Sequence, residues 1–161
     1  MDDQNPWQHW VTLYTDAGFC QVRGGTYAFR TRHRFAPFRT ENAGVVPDPC
    51  RDNNVAEMYA IVVGVEHVLQ TWPRVDGVGV NTDSQTAQSL LKFGAKPHSR
   101  KDFRELQERL QHAIAVKAAE QGSEVRIRIK WVASHQRQTD GNVRGWLNNR
   151  VDALARQARR R

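Results

Sequence analysis

The sequence predicts a mixed α/β fold, one sheet with helices packed on its faces. Three observations lead there. Three segments rich in β-formers follow one another near the start, and two more apolar or alternating segments come later. Between and after these later segments lie stretches whose apolar residues recur every three or four positions. The resulting order is strand, strand, strand, helix, strand, two helices, strand, helix, and a sheet with helical layers is what buries both kinds of apolar face.

Each element follows from its residues. Trp10–Thr15 (WVTLYT) alternates apolar and polar residues and reads as a strand. Gly24–Gly25 opens a second strand over Thr26–His33, and a third runs from Arg39 to Val46. Strands this close in sequence suggest an antiparallel meander, ended by Pro47, Asp48 and Pro49. Asn54–Gln70 carries Val55, Met58, Ile61, Val62, Val65 and Leu69 at helical spacing, and Pro73 stops it. Val75–Thr82 is a short apolar strand, and Asp83–Phe93 a helix begun by an acidic cap and closed by Gly94 and Pro97. Lys101–Gln121 is a second helix with Phe103, Leu106, Leu110, Ile114 and Val116 as its buried stripe, ended by Gly122. Glu124–Val132 alternates strictly, giving a strand with one basic, wet face. A polar loop from Ser134 to about Trp146 leads to a closing helix, Asn148–Arg160, with Val151, Leu154 and Ala155 toward the core.

A length of 161 residues favours one domain over 1–161, with 1–9 as an N-terminal extension and 159–161 as a basic tail. With 39% hydrophobic and 25% charged residues the chain is of the folding class, not the disordered one. The longest apolar run, Ala60 to Val65, is too short to cross a bilayer, so no membrane partner is expected. Met1–Trp10 has Asp2 and Asp3 where a secretory signal has basic residues, and a cytoplasmic protein is expected. Cys20 and Cys50 make neither a disulfide framework nor a zinc site and read as reduced structural thiols. Twenty-four Lys and Arg against seventeen Asp and Glu give a net charge of +7. Such a field attracts polyanions, nucleic acid first, although solubility alone would also account for it. The basic residues gather at Arg23, Arg30, Arg32, Arg34 and Arg39, and again at Arg156, Arg159, Arg160 and Arg161.

Four acids sit where stability alone does not ask for them. Asp16 ends the first strand, Glu57 lies on the first turn of the first long helix among Val55, Ala56 and Met58, Asp83 ends the fourth strand, and Asp152 is in the first turn of the last helix. Singly, Asp83 could be an N-cap, and Glu57 and Asp152 acids favoured by helix dipoles. Together they can converge at one sheet edge, where four carboxylates stay ionised only with cations between them. Oxygen-only ligands select hard metals, Mg²⁺ first and Mn²⁺ second. Two such ions can activate a water and stabilise the leaving oxygen of a phosphodiester, so a basic chain with this cluster is a nuclease candidate.

The segments YTDAG (Tyr14–Gly18), DNNVAEMYAI (Asp52–Ile61), NTDSQ (Asn81–Gln85), KWVASH (Lys130–His135) and NNRVDALA (Asn148–Ala155) occur in this order. They resemble the five successive motifs of type 1 ribonuclease H, and the resemblance spans residues 10 to 158. It implies a five-stranded mixed sheet with the first three strands antiparallel and helices on both faces. It implies an endonuclease that cuts the RNA strand of RNA–DNA hybrids with two Mg²⁺ ions, leaving 5′-phosphate and 3′-hydroxyl ends; a monomer is expected. By the same resemblance Asp16 bridges both ions and Glu57 and Asp83 hold the one on the leaving-group side. Asp152 helps hold the ion that activates water, and His135 assists proton transfer or product release from a mobile loop.

Hybrid specificity requires sensing 2′-hydroxyls on one strand. Asn53, Asn54 and Gln85 match family positions that reach the minor groove, and amides suit a 2′-OH because they both donate and accept. Ser84 adds a further contact. A helix cap accounts for one of Asn53 and Asn54 on the residues alone. Several positions depart from the family pattern. Ala17–Gly18 stands where many members have Gly and Ser, and Asp52 stands where a Thr often binds a DNA phosphate. The stretch from Asp83 to Phe103 has no room for the extra basic helix of some bacterial members, so affinity falls to residues such as Arg100, Lys101, Arg126, Arg128 or the termini. The long interval from His135 to Asp152 suggests an extended loop with Arg137, Arg144 and Trp146, the last read as folding back on the core. Two other functions fit the same residues in part: a structure-specific DNA nuclease or resolvase on this fold, and a catalytically silent hybrid-binding domain.

Overall fold

Val11 and Leu13 of the first strand belong to the core on one face of the sheet and Tyr14 to the core on the other, and each face has its own helical cover. In the computed structural model the described residues are 8–22, 24–33, 39–47, 50–133 and 143–159. They form β1 (Trp10–Cys20), β2 (Gly24–His33), β3 (Arg39–Val45), α1 (Asn53–Thr71), β4 (Gly77–Thr82), α2 (Gln85–Leu91), α3 (Lys101–Gln121), β5 (Arg126–Trp131) and α4 (Val143–Arg159). The five strands make one sheet in the order β3-β2-β1-β4-β5. β1 to β3 pair antiparallel, while β4 runs parallel to β1 and β5 parallel to β4. Hairpin-length connections join the antiparallel strands, and the two parallel pairings have helices in their crossovers, as the geometry of parallel pairing demands.

α1 is buried over most of its circumference, between the sheet and α3. It comes so close to β1 that a Cβ on Gly64 would stand 2.8 Å from the Leu13 side chain, so any larger residue there would have to displace a buried leucine. Asp52 Oδ1 accepts from the Val55 N–H at 3.0 Å and caps the helix, which corrects the expectation that Asn53 or Asn54 does so. At the other end Lys117 of α3 is buried and donates to the carbonyls of Trp72 and Pro73 at 2.9 and 3.1 Å. Its ammonium sits where an α-helix leaves carbonyls unmatched.

α3 spans the expected residues and ends at Gly122, whose φ of 72° is the left-handed conformation that glycine tolerates best. Its buried stripe is Phe103, Leu106 and Leu110 with the polar Gln107 and Lys117. Val116 is 41% exposed and not part of it, because burial at the end of α3 is taken by the neighbouring Lys117. Gln107 also fixes the short connection from α2, donating to the Leu90 and Lys96 carbonyls and accepting from the His98 N–H. α4 covers β1, β2 and β3 on the opposite face, with Val151 and Ala155 against Tyr14 and Ala28.

Other boundaries moved. β1 continues to Cys20 because β2 pairs with it throughout, down to Cys20 opposite Gly24. β4 starts at Gly77, and Val75 is instead held through its N–H and carbonyl by the Gln121 amide. α2 runs from Gln85 with Ser84 as its N-cap, not Asp83. β5 is shorter than expected, at Arg126–Trp131. α4 begins at Val143, so Trp146 is helical and the connection before it is shorter than the sequence suggests. Cys20 and Cys50 are free thiols. Among the described residues no helix is long and apolar enough to cross a membrane.

Candidate active site

β1 and β4 run side by side from Trp10 opposite Gly77 to Tyr14 opposite Asn81, and then part. Beyond Tyr14, β1 goes on beside β2 alone, with Asp16 opposite Ala28, while β4 ends at Thr82. Asp16 is therefore inside a strand and not at its end. The parting of the two parallel strands opens a notch with Asp16 on one side and Asp83 on the other. Glu57 enters from α1, one turn past Asn53, and so stands in the second turn and not in the first. Ligand oxygens of Asp16, Glu57 and Asp83 all lie within 4.8 Å of one another.

The site is built to hold charge away from water. Asp16 is 5% and Glu57 3% exposed, and Asp83 is half-buried. Asp83 is set by its backbone: the Trp131 indole donates to its carbonyl at 3.2 Å, and on either side Val132 N–H reaches Thr82 O and Ser84 N–H reaches Thr82 Oγ1. Burial pushes the Glu57 carboxyl well above the usual carboxylate range, and the charge of Asp83 and a hydrogen bond with it push the same way. The Ala17 N–H and the Asn53 side chain oppose the shift by hydrogen-bonding Glu57. With an effective dielectric near 20, two ionised carboxylates about 4–5 Å apart repel by roughly 3–4 kcal/mol. Three ionised together need either a shared proton or a cation.

The donor set fits a hard divalent cation. All three groups offer oxygen, and Oδ2 of Asp16 and Oε2 of Glu57 are buried without a hydrogen-bond partner. Asp152 lies outside this trio. It is half-buried in the third turn of α4, beside Val151, which is packed on Tyr14. The expectation of a first-turn acid favoured by the helix dipole fails, because α4 starts nine residues earlier. His135, Arg137 and the loop around them lie outside the described residues.

The expected substrate-facing residues flank the trio. Asn53 is exposed on α1 with its side chain on Glu57, Asn54 is half-buried, and Gln85 is exposed at the first position of α2. The Ser84 hydroxyl accepts from the Ala87 N–H at 3.0 Å as the cap of α2. Sequence reasoning missed the double role of Asp52. Besides capping α1 it pairs with Arg100 at 2.8 Å, and Arg100 is also bound to Asp102. The cap was readable from an Asp three residues before Val55, whereas the ion pair joins positions far apart in the chain.

The RNase H family model matches residues 8–160. The chain belongs to the RNase H family. Its sheet order and strand directions are shared with solved RNase H structures. The N-terminal RNase H domain of a Mycobacterium tuberculosis protein, solved as a fusion with maltose-binding protein, is similar with a TM-score of 0.68 and 19% identity, over 94% of each chain. RNase H1 from the halophilic archaeon Halobacterium salinarum gives 0.66 and 21% over 92% of this chain and 96% of that one. LC11-RNase H1, from a compost metagenome and solved in complex with an RNA/DNA hybrid, gives 0.68 and 17% over 92% and 95%. No curated protein matches the chain. Identities this low speak for the fold, while membership of the RNase H family and the acidic trio support a nuclease.

Proposed function

We propose that this RNase H family member hydrolyses the RNA strand of RNA–DNA hybrids with divalent cations, Mg²⁺ by preference and Mn²⁺ as a substitute. The observation that carries this reading is the buried trio of Asp16, Glu57 and Asp83, with two oxygens left without hydrogen-bond partners. Two ions held there would polarise the scissile phosphodiester and lower the pKa of a water so that it can attack, giving 5′-phosphate and 3′-hydroxyl ends.

The chain's own groups supply the rest. Asp16 would contact both ions, Glu57 and Asp83 would hold the one on the leaving-group side, and Asp152 of α4 would help hold the one that activates water. The Ala17 N–H and Asn53 orient Glu57, and second partners of this kind fix ligand direction at metal sites. Asn53, Asn54 and Gln85 stand at the starts of α1 and α2 on either side of the trio, where amides can accept from and donate to a 2′-hydroxyl and base edges. Ser84 takes part through its position at the same helix start, and His135 through proton transfer or product release. The chain works as a monomer in this reading.

The test is cleavage of an end-labelled RNA–DNA hybrid with Mg²⁺, beside duplex DNA, duplex RNA and a DNA four-way junction of the same sequence. Cuts confined to the RNA strand of the hybrid are expected. Cutting of the junction instead would make the protein a resolvase, and tight binding without any cut would make it a silent binding domain.

A further inference from the structure

α4 covers only three of the five strands on its face of the sheet. It packs on β1, β2 and β3, and among the described residues it makes no contact with β4 or β5. Beside α4, on β1, β4 and β5 with Arg32 of β2, lies a groove of about 500 Å³, and its floor and walls can be read from the register. Arg32 of β2, Thr12 of β1, Gly79 of β4 and Arg128 of β5 form one row across the sheet. Lys130, two residues beyond Arg128, points to the same side in the next row, opposite Asn81. Arg32, Arg128 and Lys130 are exposed, and among the described residues no acid lines the groove.

The construction is specific. At one end the Trp10 indole lies flat on β4, where a Cβ on Gly77 would come within 2.3 Å of the ring, and the Arg128 guanidinium stands 5.4 Å from a Trp10 ring centroid. That contact sets the direction of Arg128. In the middle, a Cβ on Gly79 would meet nothing within 4 Å, so the floor is bare backbone. Three strand spacings of about 4.8 Å put the Cα atoms of Arg32 and Arg128 roughly 14 Å apart, with the trough between them. At the other end Asn81 is followed two residues later by Asp83 of the acidic trio.

We propose that this groove is a track for an unpaired nucleic-acid strand flanking the hybrid, held through its phosphates by Arg32, Arg128 and Lys130. Three exposed cations along one groove fit a polyanion, and a positively charged groove that follows a backbone is how single strands are held without sequence preference. The trough is too narrow for two paired backbones. It leads to Asp83, just past the end of β4 in the proposed cleavage site, so a strand leaving that site can enter it. Only this origin of the strand rests on the nuclease reading; the electrostatic fit does not. The track also gives the chain a grip that does not need a separate basic helix between α2 and α3.

The experiment compares binding of a blunt hybrid with that of the same hybrid carrying a ten-nucleotide unpaired extension, of DNA in one arm and RNA in another, with EDTA present to prevent cutting. The extension should tighten binding by about tenfold at low salt and steepen the dependence of log K on log salt by about 2, from three phosphates at roughly 0.7 each. Gly79→Glu puts a carboxylate in open space on the floor, and Lys130→Glu reverses one wall. Either should reduce the gain to less than twofold while blunt-hybrid binding stays as it was. An undiminished gain in both variants, or a gain confined to one sugar, would overturn the proposal. Failure of the nuclease reading looks different: no hybrid is cut with Mg²⁺, yet the extension still binds and the variants still abolish it.

Discussion

Arg100 Nη1 stands 2.8 Å from Oδ2 of Asp52, while the other oxygen of the same carboxylate caps α1. One side chain thus starts the helix that carries Glu57 and ties it to the residue just before α3. The sequence makes Asp52 look like a defect, an acid where a phosphate contact is expected. In the fold Arg100 brings a cation to it, so this corner of the surface is not simply acidic. Replacement separates the two roles. Asp52→Asn keeps a good cap and should cost less than about 1 kcal/mol, since a partly exposed ion pair is worth little. Asp52→Ala loses both and should cost about 1–2 kcal/mol in urea unfolding. Equal losses for the two would show that the cap is not what matters.

Lys117 is the buried link between α3 and the end of α1. Lys117→Met keeps most of the volume but leaves the Trp72 and Pro73 carbonyls without their donor. A loss of about 1–3 kcal/mol is expected, the usual range for losing hydrogen bonds from a charged donor. The measurement is again the urea midpoint, and no change would mean that water replaces the ammonium freely.

Glu57 makes stability depend on pH. Its carboxyl is raised in the fold, chiefly by burial and then by Asp83, so the folded state binds a proton that the unfolded state releases near its ordinary value. Stability is therefore full below that value, about 4.3, and falls as pH rises through the raised one. In EDTA the wild type should lose stability over this window. Glu57→Gln should flatten the slope and be the more stable form at neutral pH, and Mg²⁺ should raise the wild-type melting temperature more than that of the variant. An identical slope in both proteins would remove Glu57 as its source.

Gln85 and Asn53 should separate substrate grip from chemistry. Gln85 is exposed at the head of α2, so Gln85→Ala should change stability by less than about 0.5 kcal/mol and raise KM for the hybrid with kcat little altered. Asn53→Ala removes a partner of Glu57 as well, and kcat should fall with it, about 10- to 100-fold as for other residues that orient metal ligands. Steady-state kinetics on one hybrid measures both.

Much of this fold is legible in the sequence because its signals are local. Alternation along WVTLYT, helical spacing from Val55 to Leu69, and Gly122 after Gln121 each report on a few neighbouring residues, and each element stands where they put it. What escapes is decided by partners. β1 runs on to Cys20 because β2 supplies hydrogen bonds that far, and Val116 faces solvent because of what lies beside α3. Asp16, Glu57 and Asp83 can be singled out by the resemblance of their motifs, but their meeting depends on where β1 and β4 part. The row from Arg32 to Arg128 has no sequence signal at all, since it exists only once four strands are in register. The opening of α4 at Val143 was hidden by Gly145, which reads as a loop residue yet sits inside the helix.

The central claim is that the acidic trio is a metal-dependent hydrolytic centre for hybrids. Its most direct test is single-turnover cleavage of an end-labelled RNA–DNA hybrid in Mg²⁺ by the wild type and by Asp16→Asn, with hybrid binding and melting temperature measured on both. RNA-strand cleavage by the wild type, a loss on the order of a thousandfold or more in the variant, and unchanged binding are predicted. Equal cleavage by the two proteins, or an intact hybrid with wild-type protein in both Mg²⁺ and Mn²⁺, would contradict it.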